Sequence, residues 1–367
     1  MATTKPSPVA PFQTTWWQWI EYYYLLMLHG GFPFFWWIRP HWKPSQMGDK
    51  RGTVVFITGG NSGTGYETAR EYYLHGATVY IGCRSDQRAT DAIARIKKGG
   101  RCNMYGEFEY ETPNAAKVGT IEYINMDLSD LDSVERCANE LKGKVQRLDM
   151  LFANAGIMAT DPGQFTKQGY PLQFGTNTLG HQRLISLLLP LLKQTSRETP
   201  DSPARLISLS SVGHVFAPRG GINYEAIESR TELDKWAAYG ESKWGDIALA
   251  NFVNTHHGPG SPNAIDGEII TFSVHPGVVA TNLSRHLGGV EAMYKLTWLT
   301  PLYQLQPYDG ALNQIWCGEV SVAEARRMSG SFISCFQTQC PARPDLKNKV
   351  AVDRMWEWCD AQARKTE

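Results

Sequence analysis

The chain has 367 residues, 42% hydrophobic and 20% charged, a composition that supports a packed core and excludes an intrinsically disordered protein. Its 36 lysine and arginine residues balance 36 aspartate and glutamate residues, so the formal net charge is zero and the electrostatic footprint of a nucleic-acid binder is missing. Seven cysteines, at 83, 102, 137, 317, 335, 340 and 359 with no Cys-x-x-Cys, suggest neither a disulfide framework nor a metal site and point to reduced thiols in an intracellular protein.

Residues 16–38, WWQWIEYYYLLMLHGGFPFFWWI, form an arm dense in tryptophan, tyrosine and phenylalanine. A secretory signal has a basic start, an aliphatic centre and a small-residue cleavage site, none of which is present. A spanning helix needs about 20 mostly apolar residues, and Gln18, Glu21, His29 and the Gly30-Gly31-x-Pro33 break interrupt this stretch. Tryptophan and tyrosine favour the headgroup level of a bilayer. The expectation is a monotopic helix or re-entrant hairpin in the interface of an endoplasmic-reticulum-like membrane. The alternative is an arm packed on the protein's own core or on a partner subunit of a cytoplasmic protein.

Beyond the arm the pattern alternates. Apolar runs suited to buried parallel strands lie at 53–58, 77–82, 121–126, 148–153, 205–210 and 269–274, and helix-length stretches at 63–75, 86–98, 130–142, 170–194, 234–257 and 309–320. That alternation predicts an α/β fold, a doubly wound parallel sheet with helices on both faces. Two loops, 99–119 and 212–233, are longer than the pattern needs. After residue 335 come prolines and a helix carrying Trp356 and Trp358. The expected organisation is an arm over 1–50, one domain over 51–335, and an extension over 336–367 packed on it.

Between the first strand and first helix stands Thr58-Gly59-Gly60-Asn61-Ser62-Gly63-Thr64-Gly65, with four glycines in seven residues. Glycines there permit a tight turn and let the backbone approach a pyrophosphate, while the following helix N-terminus offers unpaired N–H groups to the phosphate. Further along, Tyr239 and Lys243 in YGESK lie four apart on a helical stretch and therefore share one face. A phenol beside an ammonium can give a proton to a carbonyl or take one from an alcohol.

The Thr-Gly-x-x-x-Gly-x-Gly spacing resembles the short-chain dehydrogenase/reductase family, and six further motifs follow in that family's order: MDLSD, NAG, GTNTLGH, RLISLSSVGH, YGESK and HPGVVAT. The resemblance spans residues 53–281; GTNTLGH, SSVGH and the long loop before Tyr239 are similar to the retinol-dehydrogenase-like branch. It implies a Rossmann domain in which Thr58, Gly59, Asn61, Ser62, Gly63, Thr64 and Gly65 hold the dinucleotide pyrophosphate. Asp127 and Leu128 would lie at the adenine. Asn154, Ala155 and Gly156 would support the cofactor, and Pro276, Gly277, Val279 and Thr281 would flank it. Tyr239 is then the acid/base, Lys243 binds the nicotinamide ribose, Ser211 polarises the substrate, and Asn177 holds a water linking Lys243 to solvent. The family register selects Ser211, but Ser210 remains an alternative, because the 28 residues from Ser211 to Tyr239 exceed the usual family spacing. His214 and His275 are read as structural.

Folds selective for NAD place an acid at the end of the second strand. Here VYIGCRSDQR puts Cys83 and Arg84 there, with Asp86 two residues late. Arginine forks onto phosphate, so NADP(H) is expected, with Arg84 on the 2′-phosphate and Arg88 assisting. The apolar, aromatic stretch after Thr281, LSRHLGGVEAMYKLTWLTPLYQL, is expected to form a lid over a lipophilic retinoid, sterol, fatty aldehyde or polyketide. Rival readings are a cofactor-binding structural subunit of a membrane complex and a protochlorophyllide-reductase-like enzyme. The family often forms dimers or tetramers, so a homo-oligomer is also open.

Overall fold

A computed structural model describes residue 20 and residues 40–230, 233–281 and 304–365. The aromatic arm and nearly all of the expected lid lie outside the described residues. Among the described residues no helix is long and apolar enough to cross a membrane.

The first half alternates β1 (Val54–Thr58), α1 (Gly63–Leu74), β2 (Thr78–Cys83) and α2 (Asp86–Lys97), then a hairpin of β3 (Gly100–Cys102) and β4 (Phe108–Tyr110). There follow β5 (Thr120–Asn125), α3 (Leu131–Lys144) and β6 (Met150–Ala153). A helical turn at Leu172–Phe174 runs through a π-helical turn at Gly175–Leu179 into α4 (Gly180–Glu198). The second half holds β7 (Arg205–Leu209), α5 (Tyr224–Ser229), α6 (Lys235–His257), β8 (Ile270–Val274), α7 (Pro307–Glu319), α8 (Val322–Met328), β9 (Ser331–Ser334), β10 (Thr338–Cys340) and α9 (Lys349–Arg364).

Eight strands form one sheet in the order β10-β9-β8-β7-β6-β1-β2-β5, parallel except for the β9–β10 pair. Strands such as VVFIT are β-branched and buried because helices cover both faces. One face packs on α1, α2 and α7 through residues including Tyr66, Ala69, Ala92, Ile96, Ala311 and Ile315. The other packs on α3, α4 and α6 through Val134, Leu141, Leu184, Leu188, Trp244 and Ile247. These recur at helical spacing, which is why the periodicity was readable.

Helix α9 adds a further layer outside α4 and α6. Trp356 stacks on Phe252 at 4.2 Å with the rings nearly parallel, and Trp358 sits edge-on to Phe174 and Tyr170. The Tyr170 hydroxyl donates to Gln362 Oε1 at 3.2 Å.

Both long loops carry structure. Residues 99–119 contain the β3–β4 hairpin, held by Phe108, which meets the Tyr66 ring at 5.5 Å and lies under the Arg95 guanidinium at 4.6 Å. Residues 212–233 contain a 3-10 turn at Val212–Phe216 and helix α5.

Candidate active site

The sheet order turns back on itself between β1 and β6, and the crevice at the carboxyl ends of such strands is where open α/β sheets bind ligands. Thr58 closes β1 and is buried. Its Oγ1 accepts the N–H groups of Asn154 and Ala155, each at 2.8 Å, and lies 2.9 Å from His181 Nε2. His181 Nδ1 is 2.6 Å from the Asn177 carbonyl, so Nδ1 carries the proton and the Thr58 hydroxyl donates to Nε2. Burial lowers the His181 pKa to about 4, which keeps the ring neutral and this arrangement intact. A single hydroxyl thus pins the Asn154-Ala155-Gly156 turn to the end of β1.

The glycine loop lies directly above. Gly59 and Gly63 take positive φ of 68° and 58°, which favours glycine. A Cβ on Gly65 would fall 2.4 Å from Asn154 Nδ2 and 2.6 Å from the Gly59 carbonyl oxygen. Asn154 is the hub: its Nδ2 donates to the Thr58 carbonyl at 2.8 Å and its Oδ1 accepts from Thr64 Oγ1 at 2.9 Å. Asn61 is half-buried and Ser62 exposed at the loop tip. Ser62 makes no side-chain cap to α1, so no N-cap side chain occupies that helix terminus. A loop this close-packed, ending at an uncapped helix N-terminus, fits a pyrophosphate.

Arg84 and Arg88 are exposed beside a cleft of about 410 Å³ that Asp127, Ile157 and Thr176 also line. Asp86 is engaged elsewhere, accepting from Asn125 Nδ2 at 2.7 Å, and Arg84 forms no ion pair among the described residues. Asp127 Oδ1 accepts the Ser129 N–H and hydroxyl at 2.9 and 2.7 Å; Leu128 is buried beneath. The segment after β8 crosses the glycine loop. Pro276 and Gly277 lead into Val279, which bridges to Leu305, and Thr281 Cγ2 lies 3.0 Å from where a Gly63 Cβ would be.

The second cluster centres on α6. Tyr239 and Lys243 are both buried, and Lys243 Nζ lies 5.9 Å from the Tyr239 ring centre. Among the described residues the Tyr239 hydroxyl makes no hydrogen bond. The two serines diverge. Ser210 is buried and its hydroxyl donates to the Lys243 carbonyl at 2.6 Å. Ser211 is half-buried, and its Oγ accepts the Gly213 N–H at 3.0 Å. A Cβ on Gly213 would lie 2.8 Å from Tyr239 Cε1 and 3.4 Å from Ser211 Oγ, so these two groups are close neighbours across that glycine.

Asn177 is buried in the π-helical turn. Its Oδ1 accepts the Ile157 N–H, and its Nδ2 donates to the Ile157 carbonyl and to Ser242 Oγ, all at 2.9 Å. Both amide hydrogens are therefore engaged, and a water held here would donate to Oδ1. A Cβ on Gly156 would be 3.4 Å from both Asn177 Oδ1 and Lys243 Nζ, so the NAG turn joins the two clusters.

Three contributors carry no motif that names them. Asp246 Oδ2 accepts from Lys243 Nζ at 2.7 Å; only its i+3 spacing from Lys243 could have flagged it. Gln314, on α7, donates to Thr68 Oγ1 at 2.5 Å and to Asn154 Oδ1 at 3.3 Å under the glycine loop. Arg343 donates to the carbonyls of Ala217 and Pro218 at 2.6 and 3.0 Å and its N–H to His214 Nε2 at 3.3 Å, tying down the turn that follows Ser211. His214 is buried and held neutral with a pKa near 4 by that burial.

A family model described as short chain dehydrogenase matches residues 53–290. A short-chain dehydrogenase/reductase of Armillaria gallica is 34% identical over 329 residues, covering 89% of this chain and 95% of that one. Retinol dehydrogenase 14 of Homo sapiens is 34% identical over 315 residues, covering 83% and 84% respectively. Among solved structures, an uncharacterised protein of Mycobacterium paratuberculosis superposes with a TM-score of 0.62 at 25% identity, covering 88% of this chain and 97% of that one.

Proposed function

Because the chain belongs to the short-chain dehydrogenase/reductase family of oxidoreductases, with retinol-dehydrogenase-like relatives, we propose that it interconverts a carbonyl and an alcohol on a small lipophilic substrate using NADP(H). The observation that carries this reading is the approach of Ser211 Oγ and the Tyr239 ring edge to the same glycine, Gly213, with the Lys243 ammonium 5.9 Å from that ring's centre. When bound, the nicotinamide supplies or accepts the hydride.

The chain's own groups do the rest. The glycine loop and the α1 terminus hold the pyrophosphate, Arg84 with Arg88 the 2′-phosphate, Asp127 and Leu128 the adenine end, and Lys243 the nicotinamide ribose. Ser211 donates to the carbonyl oxygen and fixes it against Tyr239. Tyr239 gives its hydroxyl proton to that oxygen in reduction and takes the alcohol proton in oxidation. The Lys243 charge stabilises the phenolate. Asn177 holds the water through which the proton is exchanged.

NADPH consumption by the purified protein, assayed against lipophilic aldehydes and ketones with NADH as comparison, tests the reading. Turnover with NADPH above that with NADH is expected. Tight NADPH binding without turnover on any substrate would favour the structural-subunit reading.

Arg84→Ala is expected to raise the KM for NADPH by about 10- to 100-fold, the loss of one or two charge-assisted hydrogen bonds, and to leave that for NADH almost unchanged. Equal effects on both cofactors would remove Arg84 from the 2′-phosphate.

The aromatic arm is read as a membrane-interface anchor through which substrate enters from the bilayer. Deleting residues 1–45 should move the protein from the membrane pellet to the supernatant on fractionation; an unchanged pellet fraction would refute the anchor.

A further inference from the structure

Asp246 lies three residues beyond Lys243 on α6, is 2% exposed, and has no part in the mechanism above. Its Oδ2 accepts from Lys243 Nζ at 2.7 Å, while Oδ1 has no hydrogen-bond partner among the described residues. Burying a carboxylate with one oxygen unpaired is costly, so a core residue of neutral character would be the cheaper choice for packing alone. The ammonium's other protein bond runs to the Leu209 carbonyl at 2.9 Å. Two of its three donors are thereby fixed, and Gly156, where the two clusters of the site meet, lies close beside the ammonium: a Cβ there would be 3.4 Å from Nζ.

Few other groups bear on this pair. On α6 there is Tyr239, and from α4 there is His181, held neutral by burial. From β7 and its end, Ser208 and Ser210 bond the backbone carbonyls of Asp246 and Lys243 and carry no charge. Burial works against the Lys243 charge, but Asp246 and then Tyr239 outweigh it, and the ammonium is held above its ordinary value of 10.5. Burial pushes Asp246 up to about 6 against the pull of Lys243, so both are charged at neutral pH.

We propose that Asp246 is a positioning residue for the reaction: its carboxylate keeps the Lys243 ammonium charged and aimed at the cleft through the alkaline range, so that Tyr239 ionises beside a cation. This rests on the roles given above to Tyr239 and Lys243. Its consequence is that the alkaline behaviour of the enzyme is set by a residue that touches neither substrate nor cofactor.

Asp246→Asn keeps the shape and removes the charge. Without its counter-ion the buried lysine loses its proton well below its usual range. In the alcohol-oxidation direction, the ratio of variant to wild-type kcat/KM is expected to fall by about tenfold or more between pH 6 and pH 9, tenfold being the effect of one pKa unit. Asp246→Glu, which restores the charge, should recover the wild-type slope.

Stability of the cofactor-free protein gives a readout independent of turnover. In the variant the folded pKa of Lys243 is depressed below the unfolded value, so its cost is largest at low pH and is relieved as pH rises toward the unfolded pKa. In the wild type that group's folded pKa is raised, and its contribution holds until pH passes the unfolded value. The Tm gap between the two proteins is therefore expected to narrow from pH 6 to pH 10. A pH-independent activity ratio, or a constant Tm gap, would overturn the proposal. If no substrate is turned over at any pH, the functional reading fails and the Tm gap alone decides whether Asp246 holds the lysine charge.

Discussion

Tyr239→Phe is expected to lower kcat by about 10²- to 10⁴-fold, the usual contribution of a positioned general acid or base. The ring is buried against Gly213, and the hydroxyl has no partner among the described residues. Phenylalanine therefore keeps the packing and removes only the acidic proton. Thermal stability and NADPH affinity should stay close to wild type, which separates lost chemistry from lost structure. Steady-state kinetics beside a thermal melt is the measurement. A variant that retains turnover within about tenfold, less than general acid–base catalysis supplies, would take the proton transfer away from Tyr239.

Lys243→Met should be costly in a different way. It strands Asp246 as a buried carboxylate without its partner, and breaking one side of such a pair costs about 3–5 kcal/mol. The sign of the pH dependence follows from the carboxyl. Burial already raises Asp246 to about 6 with the lysine in place, and removing the lysine raises it further. A folded pKa above the unfolded one means stability is present below the unfolded value and is lost as pH rises through the folded value. The variant should thus be weakest near pH 8 and recover toward pH 5, in urea unfolding at both pH values. Adding Asp246→Asn should restore most of the loss at pH 8. A destabilisation independent of pH would mean that the methionine is simply misfitting.

Six of the eight strands of the main sheet were legible as apolar runs, those in its interior because burial on both faces makes them continuous, and the glycine loop because its backbone constraint leaves a spacing that survives in one dimension. Ser210 and Ser211 differ only in three dimensions: both lie near α6, but the Ser210 hydroxyl is spent on the Lys243 carbonyl whereas Ser211 Oγ lies beside Gly213 and the Tyr239 ring, a distinction that depends on how α6 packs. The β3–β4 hairpin was missed because three-residue strands carry almost no periodicity; its stability comes from Phe108 against Tyr66 and Arg95. β9 and β10 are similarly short, and β10 exists only as a partner for β9. Arg343 secures the turn after Ser211 from 126 residues away, a relation no local pattern encodes. Asp246 was within reach, since its spacing from Lys243 places both on one helix face, but an acid near a lysine on a helix is ordinarily a solvated pair.

The outer layer made by α9 has a consequence for how the chain reaches its native state. The faces of α4 and α6 that α9 covers include Phe252, on the same helix as Tyr239 and Lys243. Residues 349–364 are made about a hundred residues after His257. At ribosomal speeds of about 5–20 residues per second, that leaves those apolar faces bare for about 5–20 s. Completion of the catalytic half is thus deferred in time, and the nascent chain carries a sticky surface that its own later segment must claim before a chaperone or a neighbouring nascent chain does.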